Sequence, residues 1–179
     1  MAHYVALLRG IGPGNPNMRN DKLREVFENL GFEDVQSVIS SGNVLFKTDI
    51  PDVESLESTI ENAIVSQLGF NSTTIIRSKQ ELEKLVRSDP FDGTEHGPSS
   101  YLLVTFLKNP VKTDLKFPYT PPSKSYTVLG ISNRAVFTVT DTTAVKTPDV
   151  MTWLEKQFGK EISSRTWKTV HRILKKFEG

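Results

Sequence analysis

Apolar positions in this chain fall in short segments, and their spacing changes from segment to segment. Tyr4–Leu8 is a continuous apolar run, the pattern of a strand buried on both faces. After a loop rich in Gly, Pro and Asn, Leu23, Val26, Phe27 and Leu30 recur at i, i+3, i+4 and i+7, which predicts a helix. Asn20 or Asp21 can cap that helix, and Gly31 is placed to end it. Val35–Ile39 and Val44–Phe46 read as two strands of a hairpin joined through Ser40-Ser41-Gly42-Asn43. Asp52 caps a second helix with Leu56, Ile60, Ile64 and Leu68 on its core stripe, and Gly69 stops it. Ser72–Arg77 is β-branched and predicts a fourth strand. The order β-α-β-β-α-β predicts a ferredoxin-like arrangement within residues 1–78, an antiparallel sheet of four strands under two helices.

The second half is less regular. Ser78 opens a short helix with Glu81 as its capping-box partner, and Asp89-Pro90 ends it. Phe91–Ser99 reads as a polar loop, and Tyr101–Leu107 as an apolar strand. Four prolines make Asn109–Ser123 an irregular excursion. Tyr126–Leu129 and Ala135–Val139 form a second hairpin. Thr147-Pro148-Asp149 caps a helix carrying Val150, Trp153, Leu154 and Phe158; Ser163 or Ser164 opens the last helix, with Trp167, Val170, Leu174 and Phe177 inward. No internal repeat shows in the residues. The predicted class is α+β: a ferredoxin-like N-terminal part over 1–78, then a smaller α+β part over 79–179 with two terminal helices, packed on the first or continuous with it.

Composition narrows the chemistry. The chain has 179 residues and a net charge of +1, from 22 basic and 21 acidic side chains, so only a local patch can attract nucleic acid. Without cysteine there is no disulfide, thiolate nucleophile or cysteine metal site. No apolar run reaches the roughly 20 residues that span a bilayer. A soluble, cytoplasmic protein with no membrane partner is expected. His3, His96 and His171 are scattered without a ligand spacing, so no metal site is expected. No cofactor fingerprint is present: Asn15 stands where G-x-G-x-x-G needs its third glycine, and no Walker loop occurs. No residue takes a catalytic role, which leaves open whether the protein is an enzyme.

The loop Gly10-Ile11-Gly12-Pro13-Gly14 lies between a strand and a helix, where backbone N–H groups and a helix dipole favour an anion. Arg9 stands at the strand exit, Gly10, Gly12 and Gly14 allow close backbone approach, and Asn15 and Asn17 add donors. Arg165 and Lys168 mark a second cationic helix start, at Ser163–Val170. These eight residues are the candidate site. The turn at Ser40–Asn43 is expected at the other end of the sheet, away from the loop. Lys168, Arg172, Lys175 and Lys176, joined by His171, leave a basic outer face on the last helix. The third strand, N-V-L-F-K, lacks the aromatic pattern of an RNA-recognition module.

Y-V-A-L-L-R-G-I-G, L-R-E-V-F-E-N-L-G-F-E-D-V, S-V-I-S-S-G-N-V-L-F, Asp89-Pro90-Phe91 and the run Ser163–Val170 together resemble an uncharacterised bacterial family, the domain of unknown function numbered sixteen ninety-seven. The resemblance spans essentially the whole chain. It implies a two-part α+β fold with a ferredoxin-like first part, and no established activity, cofactor or catalytic residue. Gly12 stands where that family has Asn, Ser40 where it has Gln, and Thr166 where it has Asn before Trp167. The functional expectation is binding of a small anionic or phosphate-bearing ligand. The alternatives are a protein-interaction or regulatory module, or weak nucleic-acid binding through the basic last helix.

Overall fold

The computed structural model describes residues 1–12, 14–40, 42–143 and 149–179. They divide into two compact units, Met1–Lys84 with Arg172–Gly179, and Leu85–His171. The first unit contains β1 (Ala2–Leu8), α1 (Asn20–Asn29), β2 (Glu33–Ser37), β3 (Asn43–Thr48), α2 (Val53–Leu68) and β4 (Thr74–Ser78). Its strands pair antiparallel in the order β2-β3-β1-β4, which is compatible with the split βαβ reading. Alternate residues of the sheet, Tyr4, Ala6, Leu8, Val44, Phe46 and Ile76, share a core with Leu23, Val26 and Phe27 of α1 and Leu56, Ile60 and Ile64 of α2. Phe46 is its centre, with ring centroids 4.7 Å from Phe32, 5.5 Å from Phe27 and 5.7 Å from Tyr4. Burial of each such side chain contributes about 1.5–3 kcal/mol.

β4 forms one edge of this sheet, and its outward N–H groups are met by carboxylates. Thr74 N–H donates to Glu61 Oε2 (3.0 Å), Ile76 N–H to Glu57 Oε2 (2.9 Å) and Ser78 N–H to Glu81 Oε1 (3.0 Å). This is why α2 buries an acidic residue, Glu57, on an otherwise apolar face. The last of the three belongs to the expected capping box, which is completed by Glu81 N–H on Ser78 Oγ at 3.1 Å. Asp52 likewise caps α2 through Ser55 N–H. The cap of α1 differs from expectation. The helix starts one residue earlier, after Arg19, and the Asn20 side chain instead donates to Ile39 O at 3.0 Å.

α3 (Lys79–Arg87) and α5 (Trp167–Glu178) each have residues in both units. The second unit otherwise holds β5 (Tyr101–Leu107), β6 (Tyr126–Ser132), β7 (Ala135–Thr140), α4 (Val150–Phe158) and β8 (Ile162–Thr166). Its sheet is also antiparallel, in the order β6-β7-β5-β8. Leu103, Leu107, Tyr126, Val128, Val136 and Ile162 form a core with Val150 and Leu154 of α4. Phe91, at the head of the segment expected to be a polar loop, is buried against Phe137 and Trp167, at 5.8 and 5.1 Å between ring centroids. Thr147 and Pro148 of the expected α4 cap lie outside the described residues. Asp149 makes no capping bond, and its carboxylate accepts from Ser125 Oγ at 3.1 Å.

Ser163 and Ser164 do not open the last helix. They belong to β8, which pairs with β5 from Leu103↔Thr166 to Leu107↔Ile162, and the helix begins at Trp167. The polar run I-S-S-R-T carries no apolar alternation to announce a strand. Its β-identity comes from pairing with the apolar β5.

The second sheet repeats the first, a duplication that the residues do not reveal. In both, the first strand lies between the third and the fourth, and a hairpin supplies the second and third. Leu8 N–H donates to Gly42 O and Leu107 N–H to Arg134 O, both at 2.9 Å. Arg9 N–H donates to Thr73 O at 3.0 Å, and Lys108 N–H to Glu161 O at 3.1 Å. In place of α1, the second unit has the proline-rich stretch between β5 and β6. Arg77, opposite Val5, and Arg165, opposite Val104, occupy the same position in β4 and β8. Both are buried, and each donates from Nη1 to the carbonyl of the residue before it, at 2.9 and 2.8 Å. Arg165 Nη1 also reaches Ser163 Oγ at 2.8 Å. Burial brings the Arg165 pKa down to about 10, so the group is charged at neutral pH. Arg77→Ala and Arg165→Ala are each expected to cost about 2–4 kcal/mol in urea unfolding, because both leave buried polar partners unmet.

Candidate functional site

Six of the eight candidate residues share one loop of the first unit, between β1 and α1. Arg9 and Gly12 are half-buried, and Gly10, Gly14, Asn15 and Asn17 are exposed. Asn15 Oδ1 accepts from Asn17 N–H at 3.0 Å and caps a single 3₁₀ turn at Pro16–Met18. Asn15 N–H donates to Gly12 O, and Gly12 N–H to Met18 Sδ at 3.2 Å. Arg19 grips Asp21 with two bonds, at 2.9 and 3.2 Å, so a carboxylate already stands in the first turn of α1. The other two candidates belong to the second unit. Arg165 is a buried strand residue, and Lys168 is exposed in the first turn of α5.

The β2–β3 turn lies beside this loop, contrary to expectation. β1 and β3 run antiparallel with Leu7 opposite Asn43, so the end of β1 meets the start of β3. Asn43 is buried and closes the turn, donating from Nδ2 to Val38 O at 3.0 Å while Val38 N–H donates to Asn43 O. Gly42 has φ +82°, and a Cβ there would stand 2.7 Å from Ile11 Cγ1 and 3.0 Å from Leu8 O. From the α2–β4 connection, Ser72 Oγ donates to Arg9 O at 2.7 Å. Three connections therefore meet at one end of this sheet.

An open cleft of about 540 Å³ lies in the same unit, lined by Ser37 at the end of β2, by Val38 and Ile39 just after it, and by Arg172, Lys175, Lys176 and Gly179. The three cations are spaced i, i+3 and i+4 on α5, so they share one face. All three are exposed, and among the described residues none has a carboxylate within 4.0 Å. A fourth cation, Arg24 of α1, donates from Nη1 to Ser37 Oγ. Ile39 is exposed and has φ +48°, a backbone region that β-branched residues rarely occupy. Its carbonyl is fixed by the Asn20 side chain. The basic face of α5 was legible in the residues, but its convergence on Ser37–Ile39 was not. No group of histidines and carboxylates among the described residues is arranged to hold a metal ion.

The C-terminal turn of α5 rests on His3 of β1, whose ring meets Phe177 edge-on with centroids 6.1 Å apart. Burial and the nearby charges of Lys47, Lys79 and the N-terminus lower the His3 pKa below 6.5, against an opposing pull from Asp34. A histidine depressed in the folded state binds protons more readily when unfolded. Stability should therefore fall as pH drops below 6.5, and His3→Gln should flatten that acid-side slope in melting curves. Gly42→Ala is expected to cost about 2–3 kcal/mol from its close contacts and its left-handed backbone. Gly12→Ala, with open space around the added carbon, should stay within about 0.5 kcal/mol in the same assay.

The structure is similar to that of a conserved bacterial protein from Streptococcus pneumoniae, with a TM-score of 0.73, 22% identity and coverage of 97% of each chain. At that identity the likeness is one of fold. No functionally curated protein matches the chain. No helix among the described residues is long and apolar enough to cross a membrane. A family model described as "Protein of unknown function (DUF1697)" matches residues 1–137, which leaves the run Ser163–Val170 beyond the matched span. The match takes in the first unit's sheet and both of its hairpin strands, and the chain belongs to the DUF1697 family.

Proposed function

We propose that this protein binds a small anionic ligand in the cleft between Ser37–Ile39 and the C-terminal half of α5. The observation that carries this reading is the set Arg172, Lys175 and Lys176: three exposed cations on one helix face, without a carboxylate partner among the described residues, around a cleft of ligand size. The Arg172 guanidinium offers a planar fork for two anion oxygens, and the two lysines add point charges. Near a protein surface, each cation about 4 Å from an anion gains up to about 4 kcal/mol before desolvation is counted.

A second reading has one supporting observation. Lys168, Arg172, Lys175 and Lys176 are all exposed and recur at i, i+4, i+7 and i+8 along α5, a stripe that a nucleic-acid backbone could follow. Salt separates the two readings. A phosphate backbone lying on several cations releases counterions and loses affinity steeply with ionic strength, whereas a single small anion on three cations loses it less steeply.

Thermal melting with inorganic phosphate, pyrophosphate and sulfate tests the first reading. A bound anion at 100 times its Kd should stabilise the fold by about 2.7 kcal/mol. That shift should vanish in a Lys175→Glu/Lys176→Glu double variant and survive in Arg9→Ala. A shift lost in Arg9→Ala and kept in the double variant would move the site to the glycine loop, and no shift with any anion would remove the reading.

A further inference from the structure

The cleft has an apolar component that charge alone does not explain. Val38 and Ile39 both line it; Val38 is buried, while Ile39 is 39% exposed in a left-handed backbone conformation that Asn or Gly would adopt with less strain. A volume of about 540 Å³ far exceeds what an inorganic anion fills.

The duplicated topology supplies an internal comparison. β6 stands in the second sheet where β2 stands in the first, and a cleft of about 240 Å³ lies at its end, lined by Leu129, Gly130, Ile131, Ser132, Phe137, Ser88 and Pro90. Ser88 and Pro90 follow α3, the helix after β4; the first cleft is lined by α5, the helix after β8. A strand end and a helix end thus line a cleft in each unit, and no Lys or Arg lines the second one.

Resting on the anion-binding reading above, we propose that the ligand is a soluble amphipathic anion. Its phosphate or carboxylate head meets Arg172, Lys175 and Lys176, and a short apolar body lies against Val38 and Ile39. A membrane surface is the poorer fit. Among the apolar residues of α5, Val170 and Ile173 are buried and Trp167, Leu174 and Phe177 are half-buried, so none of them is fully exposed to insert among lipids.

Calorimetry with inorganic phosphate, octyl phosphate and octyl glucoside, each below its micelle concentration, tests the proposal. Octyl phosphate is expected to bind at least about tenfold more tightly than phosphate, and octyl glucoside not to bind. Ile39→Asn, which suits the backbone and should not unfold the protein, is expected to bring octyl phosphate down to the affinity of phosphate. Lys175→Glu/Lys176→Glu is expected to lose both ligands. Equal affinity for phosphate and octyl phosphate would overturn the amphipathic ligand and leave the anion site standing. If neither bound, both readings would fall. Binding of octyl glucoside as tight as octyl phosphate, or a preference for anionic phospholipid vesicles over octyl phosphate, would also overturn this proposal.

Discussion

Two backbone bonds at the end of β1 set the geometry on which the first unit depends. Leu8 N–H is held by Gly42 O, and Arg9 N–H by Thr73 O. These bonds tie the first strand to both neighbours at the point where the chain leaves the sheet, which brings the β1–α1 loop, the β2–β3 turn and the α2–β4 connection to one end. Burying unpaired backbone groups at that junction would cost far more than the bonds contribute, so the arrangement is fixed once the strands pair. The second unit uses the same pair of bonds at Leu107 and Lys108, in a sheet whose residues share no visible repeat with the first. The same pairing geometry recurs with different side chains because it rests on groups that every residue carries.

The first unit was readable because its helices bury one stripe, as at Leu23, Val26 and Phe27, and its first strand is the continuous apolar run Tyr4–Leu8. Capping chemistry at Asp52 and at Ser78 with Glu81 was readable for the same reason, being set by three adjacent side chains and local backbone. β8 was not readable. Ile162–Thr166 is mostly polar, and only its partner β5 makes it a strand. Phe91 lies in the loop, as expected, but one aromatic at the head of a polar segment gives no periodic signal of its burial against Phe137 and Trp167. The position of the β2–β3 turn follows from strand direction alone, once β1 and β3 are known to be antiparallel neighbours.

The candidate chemistry divides along the same line. Residues close in sequence, such as Arg9 to Asn17, were grouped from the residues alone, but within that loop Asn15 serves its own backbone, and Arg19 beside it is held by Asp21. The cleft at Ser37–Ile39 joins positions more than a hundred residues apart, a proximity no spacing rule encodes. Its charges were visible as a basic helical face. What they converge on is a product of the fold.

The outer rim of β4 has a consequence for association. Glu61, Glu57 and Glu81 occupy the N–H groups of Thr74, Ile76 and Ser78, the donors that an incoming strand would need. Another chain could extend the sheet there only by displacing three carboxyl acceptors at once, one of them buried. That border is therefore sealed against strand-by-strand growth, a safeguard against aggregation built from side chains of the two helices that flank β4 in sequence.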